Sequence, residues 1–129
     1  MNRYEWLDAY LLAKPGATKD YKAEWGWQRY QLDGHLFAAT CWPGTEHSMV
    51  ESREIVTLKC DPLRVEALRS AFPDIIPGFY CNKLCWNSVY LDGAVPDDLL
   101  REMCDESYAL VFAKLTKKKQ REIAGATLL

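Results

Sequence analysis

Lys59, Tyr80, Asn82, Lys83, Trp86 and Asn87 bring basic, amide and aromatic side chains into two short stretches of the chain. A lysine neutralises phosphate, an asparagine amide hydrogen-bonds base edges, and an exposed ring stacks on a base. Together they are the parts of a surface that contacts nucleic acid. The same residues have a plainer reading, in which Tyr80 and Trp86 pack in the core, Asn82 and Asn87 satisfy turn backbone, and Lys59 is a solvated strand end. Lys114, Lys117, Lys118, Lys119 and Arg121 extend either reading, as further phosphate contacts or as a solvated helix end favoured by the helix dipole.

Other chemistries find weaker support. Cys81 and Cys85, separated by three residues, suit thiolate ligation of zinc, with Cys41, Cys60, His35 and His47 as additional ligands. No second closely spaced pair exists, and a buried free cysteine behaves as a small hydrophobe, so no metal is expected. Nucleophilic catalysis would need a cysteine beside a base, and only His35, next to a turn, and His47, in a polar stretch, are imidazoles. The acidic set Asp97, Asp98, Glu102, Asp105 and Glu106 reads as dipole partners and solvated carboxylates rather than a cation site. The expectation is a non-enzymatic binding domain without cofactor. DNA is the leading ligand class, and a small molecule or a protein docking on the same aromatic face is the alternative.

The bounds set by the whole chain agree with a small globular protein. Its 129 residues fit one domain spanning 1–129, and nearly half of them are apolar, enough for a core. A net charge of −2 denies the molecule an overall positive field, so any attraction for phosphate must be local. Five cysteines, an odd number, fit a reducing compartment. Met1-Asn2-Arg3-Tyr4-Glu5 lacks the basic start and apolar stretch of a signal peptide, and no apolar run approaches the roughly 20 residues that span a bilayer. A cytoplasmic protein with no membrane contact is expected.

The elements that must position these residues follow from periodicity. Asn2 and Glu5 suit a capping box for a first helix bearing Trp6, Leu7, Tyr10 and Leu11, which Pro15-Gly16 ends. Trp27 to Leu32 and His35 to Thr40 flank Asp33-Gly34, the signature of a type I′ hairpin. Ile55 to Leu58 predicts a third strand. Asp61-Pro62 opens a second helix with Leu63, Val65, Leu68 and Phe72 as its apolar stripe. Phe79-Tyr80 and Trp86 to Leu91 predict two more strands. A long helix from Pro96 carries Leu100, Met103, Cys104, Ser107, Val111 and Leu115 on one face and ends in lysines, with a basic C-terminal tail from about residue 116. The order α-β-β-β-α-β-β-α implies an α/β (α+β) fold, an antiparallel sheet with helices packed mainly on one face.

Thr57-Leu58-Lys59-Cys60-Asp61-Pro62, Ile76-Pro77-Gly78-Phe79-Tyr80, Asn82-Lys83, Trp86-Asn87-Ser88-Val89-Tyr90-Leu91-Asp92-Gly93 and Ser107-Tyr108-Ala109-Leu110-Val111 follow one another in an order that resembles the MmcQ/YjbR family. The resemblance runs from the first helix to about Lys119. It implies a frataxin-like (CyaY-like) fold and a DNA-binding role through a double-wing arrangement of the β region, with no reaction, metal or cofactor. Family members often carry histidine near the positions of Tyr80 and Cys85, so roles of those histidines do not transfer to this chain.

Overall fold

The computed structural model describes residues 2–42, 53–78 and 82–128, without the side chains of 126–128. The elements are α1 (Leu7–Leu12), β1 (Ala17–Lys22), β2 (Trp27–Leu32), β3 (His35–Cys41), β4 (Ile55–Lys59), α2 (Pro62–Ala71), β5 (Ile75–Pro77), β6 (Trp86–Tyr90), α3 (Asp97–Ala113) and α4 (Lys117–Leu128). The strands form one antiparallel sheet in the order β1-β2-β3-β4-β6-β5. The α/β class and antiparallel sheet are as expected, and among the described residues β1, β5 and α4 are additions to the expected elements.

Two apolar groups flank the sheet. The larger joins Tyr30, Leu32, Phe37, Ala38, Val56, Leu58 and Val89 to Leu7, Leu11, Val65, Leu68, Leu100, Met103, Cys104 and Val111 of the helices. The smaller comprises Trp27, Ala39, Cys41, Ile55 and Tyr90. Side chains alternate along a strand, so Val56 and Leu58 serve the first group and Ile55 the second. Burial on both sides explains why Ile55-Val56-Thr57-Leu58 is an uninterrupted β-branched and apolar run instead of an alternating one. In α3 the spacing of Leu100, Met103, Cys104, Ser107 and Val111 lays one stripe on the sheet, and all five are buried.

Local chemistry fixes the joints. Asp33 and Gly34 both have positive φ, 50° and 78°, as a type I′ turn requires. Asp61 caps α2 by accepting the Leu63 N–H at 2.9 Å, with Pro62 as first helical residue, a cap worth about 1 kcal/mol. In β3 the register shifts, Tyr30 pairing Ala38 and Gln31 pairing Leu36, so Phe37 is an extra residue and both Phe37 and Ala38 reach the main core.

Several expectations are corrected. Asn2 does not cap α1: its Oδ1 accepts the Tyr4 N–H, and the helix starts only after Trp6, whose side chain cannot cap. Ala17–Lys22, polar and exposed along most of its length, is a strand at the sheet edge. β5 occupies Ile75–Pro77, while the strand expected at Phe79-Tyr80 lies outside the described residues. Leu63 is 91% exposed and leaves the α2 stripe to Val65 and Leu68. The C-terminal lysines do not extend α3. The chain breaks at Lys114, and the basic segment expected as a tail folds as α4. Gln120 Nε2 donates to the carbonyls of Phe112 and Leu115 at the end of α3, and Thr116 Oγ1 accepts the Lys119 N–H at the start of α4.

Candidate functional site

Lys59 ends β4, and its Cα partner across the ladder is Trp86, the first residue of β6. The two therefore project from the same side of the sheet. The ladder continues one step further, the Cys60 N–H donating to the Cys85 carbonyl at 2.7 Å. On its other flank the β3–β4 ladder stops at Ala38 and Leu58. Beyond them the buried Ser107 hydroxyl sits between the strands, accepting the Lys59 N–H at 2.9 Å and donating to the Phe37 carbonyl. A serine on the apolar stripe of α3 thus substitutes for the next rung and fixes the helix against the end of the sheet.

The Lys59 ammonium lies beside that of Lys114 at the end of α3. This like-charged neighbour first, and burial second, hold the Lys59 pKa below the ordinary lysine value. Among the described residues neither lysine has a carboxylate partner. Lys117 and Lys118 follow on the first turn of α4, where the dipole adds positive rather than negative potential, and they too lack a carboxylate partner. Lys119 reaches Asp33 at 3.5 Å, tying α4 to the β2–β3 hairpin turn at this same end of the sheet.

The remaining expected site residues divide. Asn82 and Lys83 are exposed in the turn before β6, but each is engaged with backbone: Asn82 Oδ1 accepts the Leu84 N–H at 2.9 Å, and Lys83 Nζ donates to the Gly78 carbonyl at 3.0 Å. Trp86 is half-buried. Asn87, expected to offer its amide to a ligand, is fully buried on the opposite side of β6 from Trp86, where its Oδ1 accepts from Arg69 Nε at 2.7 Å. Alternation along β6 puts Asn87 and Val89 on the face toward α2. Tyr80, Cys81 and His47 lie outside the described residues.

The structure thus gathers Lys59, Lys83 and Trp86 at one end of the sheet and withdraws Asn87 into it. Sequence reasoning missed Ser107 and Arg69 as parts of this region. A hydroxyl on an otherwise apolar stripe was a usable signal for the first, whereas nothing in the spacing of α2 marked the second.

The other chemical candidates are accounted for by packing and pairing. Cys41, Cys60 and Cys104 are buried. Burial pushes the Cys60 and Cys104 thiols up to about 12, with Glu106 adding to the rise at Cys60, and a thiol so placed is a poor nucleophile. Exposed His35 stands at the start of β3. In the acidic set, Glu102 and Glu106 both receive Arg64, each at 2.8 Å, and Asp105 accepts from Tyr10 and Lys14.

The YjbR family model matches residues 12–110, a stretch that holds the whole sheet, α2 and most of α3. The chain belongs to the YjbR family. The YjbR protein of Escherichia coli K12 is 33% identical over 112 residues, covering 87% of this chain and 89% of its own. YbdF of Escherichia coli O157:H7 is 31% identical over 101 residues, 67% of this chain and 83% of its own. The crystal structure of Deinococcus radiodurans protein DR2400, a DUF419 domain, superposes with a TM-score of 0.79 at 29% identity, covering 96% of this chain and 89% of that one. A Pseudomonas syringae protein shares the fold at a TM-score of 0.70 and 23% identity, over 85% of this chain and 98% of its own. In this YjbR-family chain the blocks around Lys59, Lys83 and Trp86 all fall within the matched region, while α4 lies beyond it.

Proposed function

We propose that this YjbR-family chain is a non-enzymatic binding protein that contacts nucleic acid, with DNA the leading candidate, through the end of the sheet bearing Lys59, Lys83 and Trp86. The observation that carries this reading is the sorting of charge. Many acidic side chains elsewhere in the fold are matched by cations: Asp8 by Lys19, Asp20 by Arg29, Asp92 by Arg53, Asp105 by Lys14, and Glu102 and Glu106 by Arg64. Lys59, Lys83, Lys114, Lys117 and Lys118 have no such match among the described residues: Lys59 stands beside Lys114, Lys117 and Lys118 open the next helix, and Lys83 lies in the turn that leads to Trp86 across the ladder from Lys59. A net charge of −2 is therefore compatible with a locally positive end. Two ammonium groups held side by side favour an anion between them, and the half-buried Trp86 ring across the ladder from Lys59 supplies a stacking surface.

The test is fluorescence anisotropy with labelled single-stranded and duplex DNA across a salt series. Binding that weakens with salt, and falls at least about tenfold when Lys59 and Lys83 become Ala together, is the expected result. No binding of either DNA at low salt would sink the reading. A second reading, a protein-binding module, draws on Trp25 and Trp42, 57% and 56% exposed, which flank the opposite end of β2 and β3. Under the nucleic-acid reading, replacing both tryptophans with Ala leaves DNA affinity unchanged.

A further inference from the structure

The turn carrying Lys83 and Trp86 has few contacts of its own. Asn82 closes it locally, accepting the Cys85 N–H at 3.2 Å with its carbonyl and the Leu84 N–H with its side chain. Backbone bonds from Cys60 to the Cys85 carbonyl and from Gly78 to the Trp86 carbonyl, with Lys83 Nζ on the Gly78 carbonyl, join it to the neighbouring strands; its side-chain attachment to the helical layer comes from Arg69, on the last turn of α2. Arg69 Nε donates to Asn87 Oδ1 at 2.7 Å, and its second guanidinium nitrogen donates to the carbonyls of Trp86, at 3.2 Å, and Lys83. The guanidinium is largely shielded, and its one carboxylate neighbour among the described residues, Glu66, is exposed and 3.5 Å away. A planar fork with fixed donor directions is thus spent on three acceptors spread across both ends of one turn.

Two further features stand beside this fork. Asn87 turns its oxygen to Arg69, and its Nδ2 is left buried without a partner among the described residues. Gly78 packs so tightly on Trp86 that a Cβ there would stand 2.7 Å from the Trp86 Cβ, so the backbone beside the turn cannot carry a side chain at this position without shifting.

We propose that Arg69 is a positioning residue for the ligand surface: reaching from α2, it holds the 82–86 turn in the one shape that presents Lys83 and Trp86 beside Lys59. This rests on the nucleic-acid reading for what the surface binds, but the holding of the turn can be read in the free protein. Arg69→Lys keeps the charge and stem while losing the fork, so it separates positioning from general stability. The expected result is a melting temperature close to wild type, amide hydrogen exchange at 83–86 faster by at least about tenfold, and DNA affinity lowered by a similar factor, because a single ammonium nitrogen cannot stand both where Nε meets Asn87 and where the second guanidinium nitrogen meets the two carbonyls. Asn87→Asp should act in the opposite sense, giving the fork a carboxylate and removing the orphaned donor, with slower exchange in the turn. Arg69→Lys with wild-type exchange at 83–86, or with a loosened turn but undiminished DNA affinity, would overturn the proposal. If the wild-type protein binds no DNA, the nucleic-acid reading fails by itself, and exchange in the two variants still decides whether Arg69 holds the turn.

Discussion

At the scale of single residues, the cysteines illustrate how position overrides type. Cys60 and Cys104 would each be a candidate nucleophile by type, yet burial holds both thiols protonated far above neutral pH, up to about 12 from an ordinary 9.0. A raised folded-state pKa on an acid means that the neutral thiol is favoured by folding. Its contribution to stability is fully present below pH 9.0 and is lost as pH climbs toward 12. Urea denaturation at a series of alkaline pH values should show this decline, and Cys104→Ala should flatten it. At pH 8, mass-spectrometric mapping of alkylation should find Cys60 and Cys104 modified only once the protein unfolds. Rapid labelling of either in the native protein would contradict the packing.

At the scale of elements, Ser107 is the joint between helix and sheet. Without its hydroxyl, the Lys59 N–H and Phe37 carbonyl become buried backbone groups with no partner, each costing about 1–3 kcal/mol. Ser107→Ala should therefore destabilise the protein by roughly 2 kcal/mol in chemical denaturation, and a loss below about 0.5 kcal/mol would mean that water replaces the hydroxyl without penalty. Legibility in the sequence varied by element for physical reasons. The β2–β3 hairpin, the Asp61-Pro62 start of α2 and the stripe of α3 were readable because each is decided by local chemistry or by burial on one face. β1 was not, since an edge strand exposed on both sides has no reason to alternate, and Thr18-Lys19-Asp20 reads as loop. The break before α4 was hidden because lysines suit a helix end, and only Thr116, a hydroxyl in N-cap position, hinted at a second start. For the candidate site, grouping Lys59 with Trp86 rested on residue type, and the strand order that places β4 beside β6 came only with the structure. The inward turn of Asn87 depends on the phase of alternation in β6, which a stretch buried on both sides does not reveal.

At the scale of the whole molecule, the separation of matched and unmatched charge makes a quantitative demand on binding. If Lys114, Lys117 and Lys118 contact phosphates along with Lys59, converting the three to Gln should lower the slope of log affinity against log salt by roughly 2 to 3, with little change in stability. An unchanged slope would confine the contact to the sheet and exclude the α3–α4 junction. The two borders of the sheet carry a different consequence. One ends in β5, three residues closing on Pro77, which has no N–H to offer; the other is β1, whose Lys19, Asp20 and Lys22 set charges along the open backbone. A growing stack of such sheets would have to bury those charges or skip a rung at the proline. The architecture that leaves β1 open for inspection therefore also guards the chain against templated, fibre-like accretion, so concentrated samples should resist thioflavin-positive assembly so long as the fold is intact.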